Sequence, residues 1–386
     1  MGALLPIGGA RQIASTAPAR EPLAVPIGTF IAAPGWLGNL TGWPARLQGK
    51  TAARQSVHAA RGSQVLKLGY KLMSEEHGPA ELVANARRAE QAGFDFAAIS
   101  DHFFPWVEEQ GHSPLAWSIL GAIANATTRL GLMTAVTCPT MRYHPAVVAQ
   151  GAATLALLSN NRFSLGLGSG ERLNEHIVGM GWPGIAERHE RFGEAVDIIR
   201  GLLAGNLHNY RGNYLKLENA RLYDRPHASP PIVIAAGGPK AARFAAEKGD
   251  GLMATEAQPQ LIQAYRGAGG AGPRYAEVPM CCARREDEAR QTAHRYFRWA
   301  ATGWPVQAEL PDTKAFAAAS QHIPLEVIAD KITCGPSPER HLEAIGKFVD
   351  AGFDHIILVQ IGPEQEFFFD FFTNELAPKL RQRLAA

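Results

Sequence analysis

Eight short apolar segments recur between residues 66 and 361, most of them followed by a helix-like stretch, and this alternation restricts the fold more than any other feature of the chain. The segments are "LKLGYK" (66 to 71), "FAAIS" (96 to 100), "RLGLMTAV" (129 to 136), "RFSLGLG" (162 to 168), "PIVIAA" (231 to 236), "DGLMAT" (250 to 255), "VPMCCA" (278 to 283) and "HIILVQI" (355 to 361). Strands that alternate with helices form parallel βα units. Eight such units predict an α/β fold, a closed (β/α)8 TIM barrel.

The connecting segments carry helix signals. Pro79 suits a first helical turn, Leu82, Ala86, Ala89 and Ala92 recur at helical spacing, and Gly93 stops the pattern. Near the end of the array, Ser337 and Pro338 start a helix, Leu342, Ile345 and Val349 form its inner stripe, and Gly352 ends it. One joint repeats: "AGFDF" (92 to 96), "KGDGL" (248 to 252) and "AGFDH" (351 to 355) each place a Gly and an Asp between a helix and a new strand. Repetition of a joint is the mark of a cyclic array. Two insertions interrupt it. Residues 208 to 223, after the fourth strand, read as a hairpin around Gly212 and Asn213, and residues 300 to 324, after the seventh, are irregular.

Charge separates this array from what precedes it. Residues 1 to 64 hold a single acid, Glu21, against six Lys and Arg, with apolar runs broken by Pro and Gly. They read as a disordered N-terminal extension to a barrel spanning 65 to 386. The whole chain has a formal charge of +2, which argues against a nucleic-acid partner and for a small-molecule substrate. Four cysteines without a C-x-x-C pair fit a reducing cytoplasm, and no segment is long and apolar enough to span a membrane.

In a barrel, reactive groups gather where strands end at their carboxyl side. The second strand runs into Asp101 and His102, an acid and a base, with Trp106 four residues beyond His102. His102 has the side chain suited to moving a proton near neutral pH. The same pair also suits a structural role, with Asp101 capping the loop and His102 bonded to a carbonyl. Glu75 follows the first strand, Thr137 and Cys138 the third, Ser169, Gly170 and Glu171 the fourth, Gly237 and Gly238 the fifth, and Thr255 the sixth. "GLGSGERLNEH" has G-x-G-x-G spacing, not the dinucleotide fingerprint, so it fits an anion site or a plain tight turn. "AAGGP" reads likewise, with Pro239 opening a helix whose N-terminus favours phosphate. His102, His112, Glu171, Glu175 and His176 lack metal-ligand spacing, so no metal is expected.

Taken in order, "LKLGYKLMSEE", "SDHFFPWVEEQGH", "CPTMRYHPAVVAQ", "GLGSGERLNE", "AAGGP" and "KGDGLMAT" resemble the luciferase-like flavin and deazaflavin oxidoreductases, nearest the F420-dependent glucose-6-phosphate dehydrogenase group. The resemblance covers roughly residues 65 to 385 and implies the same barrel, with coenzyme F420 at its carboxyl end. It implies cofactor contacts at Asp101, Cys138, Ser169, Gly170, Asn174, Gly237 and Gly238, a non-proline cis peptide at Ala135 and Val136, and a homodimer. By the same mapping His102 handles the proton of a substrate hydroxyl, Glu171 handles a proton at the ring, and Glu75 and Trp106 steady His102.

The chain departs from that group where the substrate sits. Positions that present two lysines and an arginine to a phosphate correspond here to Gln258, Gln307 and Lys331, beside a retained Thr255. Loss of two positive charges removes charge-assisted bonds to a dianion. A neutral alcohol or carbonyl compound is therefore the expected substrate. An FMN-dependent luciferase-like monooxygenase is the rival reading within the fold, and a metal-dependent barrel hydrolase the rival outside it.

Overall fold

The computed structural model describes residues 66–385, so the segment read as an N-terminal extension lies outside the described residues. Eleven strands are present among the described residues: β1 Lys67–Leu72, β2 Phe96–Ile99, β3 Gly131–Thr134, β4 Phe163–Leu167, β5 His208–Arg211, β6 Lys216–Ala220, β7 Ile232–Ala235, β8 Gly251–Ala254, β9 Arg274–Cys281, β10 Thr333–Cys334 and β11 His355–Gln360. Eight pair in parallel in the cyclic order β1-β2-β3-β4-β7-β8-β9-β11, which closes the barrel. All eight expected strands are therefore found, and β5 with β6 forms the expected hairpin.

Alternation along each strand divides the core. Outward residues such as Leu68, Tyr70 and Leu72 meet the helices, among them Pro79–Ala92, whose Leu82, Ala86 and Ala89 are buried as its spacing demands. Gly93 and Gly352 end their helices at φ +86 and +102, a left-handed conformation that favours glycine. Inward residues Phe96, Ala98, Met133, Val233, Met253, Tyr275 and Ile357 fill the barrel. Among them Lys71 on β1 reaches Glu277 on β9 at 2.5 Å and donates to the carbonyl of Ala135 at 2.9 Å. This buried cation satisfies a backbone oxygen below the barrel mouth.

The repeated joint has one mechanical role in its three copies. Asp95 accepts from the backbone N–H of Leu68 at 2.9 Å, Asp250 from Ile232 at 2.8 Å and Asp354 from Arg274 at 2.8 Å. Each carboxylate precedes its own strand and clamps the foot of the preceding barrel strand. Glu90 does similar work, accepting from the N–H groups of Thr128, Arg129 and Leu130.

Regular pairing of β3 stops at Thr134, and the peptide between Ala135 and Val136 is cis, as the resemblance implied. One detail was not legible, the strand β10. At its foot β9 pairs with β8, but at Met280 and Cys281 it pairs with Thr333 and Cys334. Since β11 holds the other edge of β9, a segment beyond the second insertion enters the wall where β8 leaves it. Two residues give too little periodicity to announce a strand.

Candidate active site

The carboxyl ends of the strands bring most of the expected side chains into one mouth. β2 ends at Ile99, and the chain leaves it as an irregular loop carrying Asp101, His102 and Trp106. The His102 side chain keeps 11% exposure, with Nδ1 3.5 Å from Glu75 and 3.3 Å from the carbonyl of Phe104. Its Nε2 lies 3.7 Å from Glu171. Two acceptors on the Nδ1 side favour the tautomer with its hydrogen there, which leaves Nε2 as the basic nitrogen. The Trp106 ring meets His102 edge-on at 4.8 Å between centroids and stacks on Trp299 at 4.1 Å, with Phe316 edge-on behind it.

Glu171 is held by Asn174, a buried residue that donates to it through Nδ2. Asn174 Oδ1 accepts from the N–H groups of Phe103 and Phe104 at 2.7 and 3.0 Å. One amide thus locks the β4 exit to the His102 loop.

Asp101 stands differently. Its carboxylate is fully buried and accepts from Thr137 at 2.6 Å and from Trp117, Arg142 and Tyr143, each at 3.1 Å. Four donors occupy it, so it braces the wall under the mouth. Arg142 also donates to the Asp101 carbonyl and lies 3.6 Å from Glu175, whose Oε2 accepts the Arg142 backbone N–H. Burial raises the Glu175 carboxyl to about 7, with Arg142 opposing and Glu171 and Asp101 adding to the rise. The Cys138 thiol, in contact with Thr140 at 3.0 Å, is pushed well up by burial and by Glu175, so it stays an unreactive thiol.

Glycines shape the rest of the mouth. A side chain at Gly168 would put Cβ 2.7 Å from Val136, and one at Gly170, where φ is +82, would meet the Cys138 sulfur at 2.5 Å. Ala135 and Val136 are half-buried above the interior core. Gly237 and Gly238 face open space, and among the described residues nothing accepts from their N–H groups. The helix Pro239–Lys248 begins directly after them. Ser169 and Gly170 are half-buried at the adjoining turn.

The expected substrate residues are not gathered in this way. Thr255 and Lys331 are exposed, and Gln258 donates its side-chain amide to Glu256. Gln307 departs from its expected role: it is buried, and its amide donates to the carbonyls of Trp299 and Ala300 at 3.3 Å each. Sequence reasoning gave no role to Arg142, Tyr143, Trp117, Trp299 or Phe316. Arg142 and Tyr143 had a signal, since they lie in "CPTMRYHP" beside a strand exit, whereas Trp299 sits next to an irregular insertion that offered none.

A histidine between two carboxylates, beside a glycine turn with open N–H groups at a barrel mouth, fits a (β/α)8 enzyme for a phosphorylated cofactor. Residues 57–355 match the family model described as luciferase-like monooxygenase, and the chain belongs to that family. It is similar to the F420-dependent glucose-6-phosphate dehydrogenases of Amycolatopsis mediterranei and Mycobacterium tuberculosis. Each is 35% identical over 82% of this chain, covering 99% and 98% of those proteins respectively. Among solved structures, an F420-dependent secondary alcohol dehydrogenase in complex with an F420-acetone adduct superimposes with a TM-score of 0.77 at 29% identity. The match covers 82% of this chain and 99% of that one. The coenzyme F420 dependent tetrahydromethanopterin reductase of Methanopyrus kandleri, at 21% identity and a TM-score of 0.66, shares the fold. Among the described residues no three His, Cys, Asp or Glu side chains are grouped to hold a metal ion, and no helix is long and apolar enough to cross a membrane.

Proposed function

We propose that the chain is a coenzyme F420-dependent oxidoreductase that exchanges hydride between a neutral alcohol, or the matching carbonyl compound, and C5 of the deazaflavin. The observation that carries the reading is His102, with Nδ1 turned to Glu75 and a carbonyl and Nε2 turned to Glu171, beside a glycine-walled floor. The residues fit the coenzyme. Ala135 and Val136 offer a shallow apolar floor to a flat ring, and Gly237 and Gly238 offer unpartnered amides at a helix N-terminus to its phosphate. Ser169 and Gly170 extend the same bed. Relatives named for F420 over most of the chain support the assignment.

When bound, the deazaflavin supplies a carbon that takes or returns a hydride as a two-electron carrier. His102 Nε2 takes the hydroxyl proton of an alcohol as its carbon gives up hydride. Glu75, on the Nδ1 side, stabilises the imidazolium that results. Glu171, fixed by Asn174, holds the second proton on the ring side. Trp106, pinned by Trp299, limits rotation of the imidazole. In the reverse direction His102 returns its one proton to the oxygen of a carbonyl compound, while Glu171 again holds the proton on the ring side.

A neutral substrate follows from the far side of the mouth. Glu256 adds a carboxylate next to Thr255 and takes up the Gln258 amide, and Gln307 is turned into the protein. A dianionic sugar phosphate would face an acid where it needs cations. We also place the protein in the cytoplasm as a homodimer. Exposed Leu115, Val147, Leu157 and Leu158 support the dimer, which light scattering would read as twice the mass of one chain.

Titration with F420 and with FMN tests the cofactor. Saturable F420 binding, weakened when Gly237 is replaced by Ala, is the expected result. Preference for FMN with oxygen consumption would move the assignment to the monooxygenase reading.

A further inference from the structure

Glu76 takes no part in the proton path, yet it is buried one residue beyond Glu75 and both its oxygens are engaged. Oε2 accepts the N–H of Gly362 at 2.7 Å, and Oε1 accepts from Gln110 Nε2 at 3.3 Å. Gln110 in turn accepts, through its own Oε1, the N–H groups of Trp106 at 2.8 Å and Val107 at 3.4 Å. A continuous line of hydrogen bonds therefore starts beyond β11, passes the exit of β1 and ends on the backbone of the indole that packs against His102.

Building on the hydride-transfer reading above, we propose that Glu76 is a positioning residue which, through Gln110, sets the depth of Trp106 and so the orientation of the His102 imidazole. The geometry is directional. The Gln110 amide cannot turn over, because its oxygen is already fixed by two backbone donors, so its nitrogen must find an acceptor where Glu76 stands. Apolar packing alone would let the loop slide along the Trp299 face. A hydrogen-bonded line of fixed length does not.

The chemistry of the link agrees. Burial raises the Glu76 carboxyl to about 8, opposed by the donors from Gly362 and Gln110 and reinforced by Glu75. Tyr70 and Cys281, the other titratable neighbours, are themselves kept protonated by burial. Near neutral pH the link is thus uncharged, and a glutamine can keep the bond from Gln110 through its oxygen, although its Nε2 cannot accept the Gly362 N–H.

Four variants test this: E76A, E76Q, Q110A and the double variant E76A/Q110A. E76A and Q110A are expected to lower kcat with a secondary alcohol by at least about tenfold. KM for the alcohol and Kd for F420 should stay within about threefold. E76Q, which keeps only the Gln110 bond, is expected to lose less kcat than E76A, and the double variant to be no worse than the poorer single one, because both act through one line. The indole ¹⁵N resonance of Trp106, assigned by its loss in W106F, should shift in E76A and Q110A and less in E76Q. That measurement needs no coenzyme, so it stands even if the cofactor assignment fails. A folded E76A or Q110A with kcat within about twofold of the parent would overturn the proposal. So would losses that multiply in the double variant, an E76Q as impaired as E76A, or an unmoved indole. If E76A does not fold, Q110A decides.

Discussion

The two sides of the barrel mouth are built by different means. On the side of β3, β4 and β7, backbone shapes the surface: glycines at 168, 170, 237 and 238 keep side chains away, and amides are left open. On the side of β8 and β9, the second insertion and its flanks shape it, sending Trp299 and Phe316 against Trp106 and lending β10 to the barrel wall. The first arrangement suits one large invariant ligand. The second is where a substrate can change without disturbing the coenzyme.

Substitutions can break or sharpen this contrast. The largest effect is expected at its centre: H102A should lower kcat by about 10² to 10⁴, the range for a lost general base, while F420 affinity holds. Turnover with saturating coenzyme and a separate binding titration would check both parts. Next come the glycines. G170A introduces a Cβ against sulfur at a left-handed φ, so it should destabilise the protein by about 1–3 kcal/mol, read as a lowered Tm, as well as weaken coenzyme binding. G237A meets open space, so its Tm should hold while F420 affinity alone falls.

On the substrate side the expected change is smaller. E256Q with Q258K removes an acid and supplies a cation, and it should raise kcat/KM for glucose-6-phosphate by about tenfold, the worth of one charge-assisted bond. Steady-state rates with the sugar phosphate and with a neutral alcohol would separate a gain in specificity from a general loss.

The smallest effect concerns pH. Glu175 and Glu76 are raised from an ordinary 4.5 to about 7 and about 8 in the folded protein. The folded state therefore binds more protons than the unfolded state within that window, and stability contributed by these groups is complete below 4.5 and lost as pH rises to 7 and 8. Tm should drift down over the same interval. E175Q should reduce the drift below about 7, and E76Q should reduce it there and remove it between about 7 and 8.

The contrast also explains what the sequence disclosed. Strand exits and their glycines are contiguous in the chain, so "GLGSGERLNE" and "AAGGP" announced the glycine-shaped side of the mouth, and the repeated Gly-Asp joint announced the barrel. The Asp of each joint turned out to clamp the barrel strand that precedes its own, a role that its recurrence hinted at and only the hydrogen bonds revealed. The support of Asp101 was hidden because Trp117, Arg142 and Tyr143 are 16 to 42 residues away from it. Gln307 was misread for the reverse reason. A polar residue in an irregular insertion looked free, and it is folded back onto the carbonyls of its own insertion.

The central claim is that hydride passes between a neutral alcohol and the coenzyme beside His102. Propan-2-ol carrying deuterium at C2 tests it directly, with NMR of the coenzyme after turnover. The account predicts deuterium at C5 of the reduced deazaflavin and loss of that transfer in H102A. Reduced coenzyme without deuterium, or turnover confined to glucose-6-phosphate, would contradict it.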